Sequence, residues 1–332
     1  MEKFGGANRH KECVMADENG LVDPFALSDE DGYMWVKGNL HSHSTNSDGK
    51  VSPQERVDGY VNQGYDYLCV SDHNDITFID TVTCPENFTL IQGAELHPDN
   101  PFGGERHHFV CLNLTEDIDA RSMPPQHVID AVKKQGGSIW LAHPHWSSVN
   151  ILRDTLPLNG LDGVEVFNTT CRCAGRGESS VHWDDWMEFT GQILPALAND
   201  DAHAAEEAKR DTYQGWTMAR VKERSAQAIV DALVSGATYG STGPEIHNIQ
   251  LRHAVEDGAE KRVFEVTVAC SSAQRIFAVM NGSSKGTEYH EDGTLFETAT
   301  FKLRPNAKRV RFEIVGPNGN KAWSNPFDLT VL

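Results

Sequence analysis

Histidines and carboxylates recur beside short apolar runs of this sequence. His41 and His43 directly follow Leu40, and Asp48 comes five residues later. The same association of an apolar run with metal-binding side chains occurs at Asp72-His73, Glu95, His107-His108, His143 and Asp201-Ala202-His203. Imidazole and carboxylate groups, without cysteine among them, suit Zn²⁺, Mn²⁺ or Fe better than Ca²⁺ or Mg²⁺ alone. The pattern therefore predicts a metal centre.

The spacing within two of these segments strengthens this prediction. Side chains at positions i and i+2 of a strand project to one face, about 7 Å apart, which applies to His41 with His43 and to Asp201 with His203. If the strands form an α/β barrel, their carboxyl ends meet at one mouth. Imidazoles and carboxylates crowded there would be unsatisfied unless cations neutralise them.

The elements that must position these side chains alternate along the first two thirds of the chain. Apolar runs predict strands at 34–40, 67–70, 89–93, 109–112, 138–142, 163–167 and 194–197. Helical patterns lie between several of them: one begins after Ser52, with Pro53 in its first turn, and others occupy 124–135 and 225–234. This alternation predicts parallel βα units and a barrel.

The pattern changes after Pro244. Segments of alternating apolar and polar residues predict strands at 246–252, 262–270, 275–281, 295–303, 309–315 and 326–332. Turn dipeptides such as Asp257-Gly258, Asn281-Gly282 and Asp292-Gly293 separate them. We expect a small antiparallel β-sandwich that packs against the barrel or forms a dimer interface. The sequence is therefore compatible with a homo-oligomer.

Composition restricts the partners. The 332 residues include 29 basic and 48 acidic side chains, a net charge of −19, which counts against nucleic-acid backbones and anionic membranes. Seven scattered cysteines form no disulfide framework, and neither a signal peptide nor an apolar run of membrane-spanning length is visible. We expect a cytoplasmic protein that binds neither nucleic acid nor membrane.

Taken together, the segments resemble the PHP (polymerase and histidinol phosphatase) superfamily of metal-dependent phosphoesterases. The motifs that carry the resemblance are GNLHSHS at 38–44, SDG at 47–49, VSDHN at 70–74, GAE at 93–95, HF at 108–109, LAHP at 141–144, VEVFN at 164–168, DAH at 201–203 and GSTGP at 240–244. AWSNP at 322–326 resembles the extra sandwich of the branch that includes carbaryl-hydrolase-like proteins.

The resemblance implies an α/β fold, a distorted (β/α)7 barrel followed by a small antiparallel β-sandwich. We therefore expect an N-terminal extension over 1–34, a metal-binding barrel over 35–244 and a sandwich over 245–332. It also implies two or three divalent metal ions at the mouth. One would be held by His41, His43, Glu95 and Asp201; a second by Glu95, His108 and His143; and a third, if occupied, by Asp48, His73 and His203.

Several residues near the predicted ligands have expectations of their own. His107 competes with His108, which fits the family's phase better, and Asp72 is expected to orient the ligand His73. His97 and His145 stay open as further members of the cluster. The remaining histidines are expected at the surface: His10, His127, His182, His247, His253 and His290.

The expected activity is hydrolysis of a small phosphomonoester or phosphodiester by hydroxide held between metals. Glu95, Asp201 and His203 are the catalytic candidates, with His203 or Asp201 as the general acid. Arg106, Arg172 and Arg176 are candidates for binding the phosphate. Three alternatives are a carboxyl-ester, carbamate or amide hydrolase, a nucleic-acid exonuclease, which the net charge disfavours, and a non-catalytic binding protein.

Overall fold

The structure is a computed structural model that describes residues 21–146, 152–204, 210–254, 263–281 and 285–331. Most of the predicted N-terminal extension, His10 and the turn at Asp257-Gly258 lie outside these ranges. The α-helices are α1 Pro53–Asn62, α2 Pro125–Lys134, α3 Leu152–Thr155, α4 Thr169–Cys173, α5 Ser180–Thr190 and α6 Ala226–Val234.

The strands before residue 244 form two sheets that carry the predicted ligands. They are β1 Met34–Asn39, β2 Tyr67–Leu68, β3 Thr89–Leu90, β4 Gly93–Leu96, β5 Phe109–Leu112, β6 Ser138–Leu141, β7 Gly163–Asn168, β8 Ala196–Asn199, β9 Trp216–Val221 and β10 Thr238–Ser241. One sheet contains β10-β9-β1-β2-β3, and the other has the order β4-β5-β6-β7-β8. Two isolated parallel bridges, Ser42 with Ala202 and His73 with Glu95, join the sheets just beyond the ends of β1 and β2.

The expectation of parallel βα units throughout is wrong for part of these sheets. β1-β2-β3 and β6-β7-β8 are parallel, but β4-β5-β6 and β1-β9-β10 are antiparallel. The connection between β4 and β5 contains no helix, so the chain returns directly and the two strands run in opposite directions. The predicted strand at 89–93 is also two strands, β3 and β4. The fold is nevertheless mixed α/β with several sheets.

The predicted helix starts are confirmed by their caps. The Ser52 side chain accepts from the Glu55 backbone N–H while Glu55 bonds back to Ser52, a capping box with Pro53 in the first turn. Ser225 caps α6 in a similar way through the Ala228 N–H. Helix α2 buries Val128, Ile129 and Val132 against the β4–β8 sheet, as its periodicity predicts.

The part of the chain after residue 244 is rich in strands. They are β11 Ile246–Ala254, β12 Val263–Ala273, β13 Arg275–Met280, β14 Lys285–Tyr289, β15 Phe296–Lys302, β16 Arg309–Val315, β17 Lys321–Ser324 and β18 Phe327–Asp328. β11-β12-β15 form a separate antiparallel sheet, whereas β14-β13-β16-β17 continue the first sheet by pairing β17 with β10. Backbone hydrogen bonds therefore cross the predicted boundary after residue 244. The predicted strand at 326–332 is only β18.

Several elements were not predicted: β9, β10, β14, β17 and helices α3, α4 and α5. Of these, α5 packs Trp183, Trp186 and Met187 into the core beside β7. Among the described residues, no helix has the length and apolar character needed to cross a membrane.

Candidate metal centre

The Glu95 side chain on β4 lies at the middle of a cluster of imidazoles. Its carboxylate is only 1% exposed, and both oxygens face ring nitrogens. The distances from Oε2 are 3.3 Å to His41 Nε2, 3.6 Å to His43 Nε2, 2.8 Å to His73 Nδ1 and 3.2 Å to His97 Nε2; those from Oε1 are 2.8 Å to His108 Nδ1 and 3.3 Å to His143 Nε2. One buried carboxylate thus connects rings from several strand ends.

Two aspartates complete the cluster. Asp201 Oδ1 lies 3.2 Å from His41 Nε2 and 3.0 Å from His43 Nε2. Asp48 Oδ1 lies 3.3 Å from the Nε2 atoms of both His73 and His203. The Asp48 side chain is 55% exposed, so this side of the cluster opens to solvent while the Glu95 side does not.

The donor atoms fall into five groups, in each of which all atoms lie within 4.8 Å of one another: His41-His43-Glu95, His41-His143-Asp201, Glu95-His108-His143, His43-Asp48-His73-His203 and His73-Glu95-His97. The third group coincides with the predicted second metal position. The fourth contains the predicted third position together with His43. Every predicted ligand belongs to at least one group.

Buried nitrogens without hydrogen-bond partners show that these residues fit metal ions. His41 Nε2, His73 Nδ1, His97 Nε2 and Glu95 Oε2 are buried and make no hydrogen bond of acceptable geometry. Buried polar atoms are normally paired, and leaving one unpaired costs about 1–3 kcal/mol. These unpaired atoms point at each other across short gaps, which is what a set of ligands around a cation does. The cluster is therefore suited to divalent metals.

The charges of the cluster act strongly on one another. Burial opposes charge on His41, but Asp201, Glu165 and Glu95 outweigh it and raise the pKa of that imidazole well above its ordinary value. Burial lowers the pKa of His43 to about 4 and that of His108 to about 4. Those two rings are thus neutral at pH 7, the form that binds a metal, whereas a cation would have to displace the proton on His41.

Glu165 on β7 holds two of the predicted ligands in place. Its Oε1 accepts from His41 Nδ1 at 2.8 Å, and its Oε2 accepts from the His143 backbone N–H at 2.9 Å. The side-chain amides of Asn199 and Asn168 donate to the same carboxylate at 2.9 and 3.2 Å. Because His41 donates from Nδ1, its Nε2 is left to face Glu95 and Asp201.

The backbone at the cluster is locally strained. His143, Asp201 and Asn74 have positive φ angles of 26°, 57° and 55°, which side chains other than glycine rarely adopt. Such conformations cost of order 1–3 kcal/mol each and concentrate at functional sites. Two of the three are predicted ligands, so the fold maintains an unfavourable backbone where the cluster needs it.

Comparisons with known proteins found partial sequence similarities. No family model matches the chain. An uncharacterized protein of Methanocaldococcus jannaschii is 28% identical over 147 residues, which cover 40% of this chain and 82% of that protein. The DNA polymerase/3'-5' exonuclease PolX of Bacillus subtilis is 29% identical over 114 residues, 28% of this chain and 20% of that protein. The match to the polymerase therefore spans about a fifth of its length.

One solved structure is similar over nearly the whole chain. It is a two-domain protein of Bacteroides vulgatus containing a predicted PHP-like metal-dependent phosphoesterase, with 18% identity, a TM-score of 0.53 and coverage of 98% of this chain and 99% of that one. The chain has the PHP-like fold. At this identity the likeness concerns the fold, and the chemistry must be argued from the side chains.

Within the PHP-like fold, the residues left open by the sequence have definite places. His97 lies in the cluster, its ring 3.8 Å from that of His108 between centroids. His145 instead bonds through Nδ1 to the Glu178 carbonyl at 2.8 Å and belongs to none of the donor groups among the described residues. His108 faces Glu95, whereas His107 stacks on Phe109.

The predicted role of Asp72 is wrong. Its carboxylate accepts from the Ser44 N–H at 2.7 Å, the Ser47 hydroxyl at 2.6 Å and the Thr77 hydroxyl at 2.5 Å. Those bonds hold the turn that carries Asp48. His73 is positioned by its bridge to Glu95 instead. The neighbouring residue in sequence was thus a poor guide to the partner in space.

The three predicted phosphate-binding arginines lie in different surroundings. Arg106 pairs with Asp99 at 2.7 Å, so its charge is already partly neutralised. Arg172 is in helix α4 rather than in a loop, and it hydrogen-bonds Gln214. Arg176 is exposed, with Nη1 3.4 Å from His145 Nε2.

The histidines expected at the surface are mostly found there. His127, His247 and His290 are exposed, while His182 is partly buried and the His253 side chain lies outside the described residues.

Proposed function

We propose that this chain is a metal-dependent hydrolase that cleaves a phosphomonoester or phosphodiester of a small molecule. The observation that supports this most directly is the buried Glu95 carboxylate, whose two oxygens face imidazole nitrogens on opposite sides. A carboxylate in that arrangement suits a bridge between two cations. In the same proposal, the two facing sheets form one distorted barrel and the strands after residue 244 form a sandwich.

The second proposed ligand set coincides with a donor group and the third lies within one, whereas the first combines the group His41-His43-Glu95 with Asp201, which is grouped with His41 and His143. His41, His43, Glu95 and Asp201 would hold one ion; Glu95, His108 and His143 a second; and Asp48, His73 and His203 a third. Nitrogen-rich sets of this kind favour zinc, manganese or iron. Metal ions bound there would polarise the phosphoryl oxygens and lower the pKa of a bound water.

Glu95, His203 and Asp201 have different roles in the proposed reaction. Glu95 is fully enclosed, so we assign it to holding charge in place rather than to exchanging protons with solvent. The His203 side chain is 25% exposed and donates from Nδ1 to the Asp201 carbonyl at 2.7 Å, which leaves its Nε2 on the open side of the cluster. His203 can therefore give a proton to a leaving group from Nε2 only where the third position holds no ion, and Asp201 is the alternative donor.

Metal content and substrate class are tested in sequence. Elemental analysis of purified protein should find zinc, manganese or iron, and none after chelation. Metal-loaded protein should hydrolyse p-nitrophenyl phosphate or bis-p-nitrophenyl phosphate faster than p-nitrophenyl acetate, and the chelated protein should hydrolyse neither. Faster cleavage of the acetate would favour the carboxyl-ester, carbamate or amide alternative. Tight metal binding without any turnover would favour the non-catalytic one.

The partial similarity to the polymerase/exonuclease makes a nuclease assay informative. A net charge of −19 repels a polynucleotide backbone, so we expect a labelled single-stranded oligonucleotide to stay intact while small phosphoesters are cleaved. Degradation from one end at low salt would instead identify the substrate as nucleic acid.

A further inference from the structure

Three donor atoms lie together on the solvent-poor side of the cluster, and one of them, His97 Nε2, belongs to none of the ligand sets proposed above. His97 Nε2 is 3.2 Å from Glu95 Oε2, and His73 Nδ1 is 2.8 Å from the same oxygen. All three atoms are buried, and none makes a hydrogen bond of acceptable geometry. Two imidazoles facing one carboxylate oxygen form a suitable ligand set for a nitrogen-preferring divalent cation.

A backbone bridge and two hydrogen bonds of Asn74 connect the three residues of this trio. His73 and Glu95 form an isolated parallel bridge, and the Asn74 N–H donates to the Glu95 carbonyl at 2.8 Å. The Asn74 side chain in turn accepts from the His97 N–H at 2.8 Å. Asn74 does this from a positive φ of 55°, so a strained residue holds all three together.

His73 belongs to two donor groups through its two nitrogens. Its Nδ1 faces Glu95 and His97, while its Nε2 lies 3.3 Å from Asp48 Oδ1. A neutral imidazole has one lone-pair nitrogen, and the other carries a proton. His73 can therefore serve a cation on one side or on the other, but not on both.

We propose that His97 is a metal ligand that forms, with Glu95 Oε2 and His73 Nδ1, an alternative position for the cation otherwise held by Asp48, His73 and His203. This inference rests on the proposed metal centre and adds a second position, so that one ion can occupy either of the two. The Asp48 position is solvent-exposed and the His97 position is enclosed, so the two differ in access to substrate.

The test counts cations per chain by elemental analysis after equilibrium dialysis against Zn²⁺. The proteins are the wild type, Asp48→Ala, His97→Gln and the double variant Asp48→Ala/His97→Gln. Each single variant should retain the wild-type count, because the ion still has one position. The double variant should bind about one cation fewer. The Co²⁺ absorption spectrum should also differ between the two single variants, since the ligands differ.

Three results would overturn the inference: loss of a cation in either single variant, an unchanged count in the double variant, or identical Co²⁺ spectra for the two single variants. His127→Gln, an exposed histidine on α2, controls for nonspecific loss of imidazole. His97→Asn repeats the test if His97→Gln unfolds, as judged by circular dichroism. A wild-type protein that binds no divalent cation would refute the proposed function itself, whereas an unchanged double variant of an active, metal-loaded protein would refute only the role of His97.

Discussion

The cluster around Glu95 and the interior of the strand-rich C-terminal part bury polar groups in opposite ways. In the C-terminal part, Arg311 is 2% exposed, and its guanidinium donates to Asp184 at 2.8 and 2.7 Å and to Glu313 at 2.7 Å. Around Glu95, by contrast, the buried atoms His41 Nε2, His73 Nδ1, His97 Nε2 and Glu95 Oε2 make no hydrogen bond. Protein groups alone satisfy the guanidinium of Arg311, whereas the unpaired atoms around Glu95 need a bound ligand such as a cation to satisfy them.

The two regions also differ in the residues that form their interiors. The C-terminal core is a continuous apolar cluster that includes Val266, Ile276 and Phe312, each fully buried. The cluster around Glu95 instead has positive φ angles at Asn74, His143 and Asp201. We infer that packing in the C-terminal core stabilises the fold, whereas the unfavourable backbone conformations around Glu95 offset part of that stability.

The largest expected effect comes from the double substitution His41→Ala/His43→Ala. It removes two of the proposed ligands of one metal position, so activity should fall by about a thousandfold or more, since a metal supplies several kcal/mol of transition-state stabilisation. Elemental analysis of the folded variant should show fewer bound metals. The double variant His127→Ala/His247→Ala, at exposed positions, should behave as wild type. Full activity and metal content in the His41/His43 variant would refute the site.

The complementary change is Phe312→Ala in the C-terminal core. Phe312 is fully buried and packs near Phe301 and Phe327, with ring centroids 5.8 and 6.4 Å away. The free energy of unfolding should fall by about 3–5 kcal/mol in urea titrations, with metal content of the folded protein unchanged. Phe189→Ala, at a side chain 69% exposed, should cost little. Loss of metal from folded Phe312→Ala would mean that the two regions are coupled.

Much of the cluster could be predicted because its members end apolar runs. His41, Asp201 and their i+2 partners follow strands that are legible as short apolar segments. The same rule would have placed His97, which stands two residues after Glu95 and so projects to the same side. Trp183, Trp186 and Met187 were a similar missed signal, since positions i, i+3 and i+4 indicate the buried face of helix α5.

Other features depend on distant partners and could not be predicted from local sequence. Strand β9 contains Arg220, whose charge argues against a buried strand, yet its guanidinium donates to the Leu27 carbonyl at 2.7 Å. Glu165 is a single carboxylate in an apolar run, and its role depends on His41 and Asn199 from other strands. Antiparallel pairing of β1 with β9 likewise joins segments far apart in sequence.

A smaller effect is expected from Glu165→Gln. The substitution keeps the volume but places an amide where His41 and the His143 backbone donate, so the ligands lose part of their orientation. Metal affinity measured by calorimetric titration should fall by about 10- to 100-fold, as for other residues that orient metal-bound imidazoles. The exposed Glu291→Gln serves as the matched control. An unchanged affinity would mean that Glu165 only fills space beneath the cluster.

The smallest expected effect comes from a substitution that tests whether Arg176 binds the phosphate of the substrate. Arg106 is paired with Asp99, whereas the neighbour of Arg176 is the imidazole of His145, so Arg176 has more charge to offer a substrate. Arg176→Ala should raise KM for the phosphoester by up to about tenfold with kcat unchanged, the pattern of a lost ground-state contact. Arg176→Lys should recover part of the loss, because it keeps the charge but not the two-pronged geometry. Arg121→Ala controls for net charge, and an unchanged KM in Arg176→Ala would remove that residue from the substrate site.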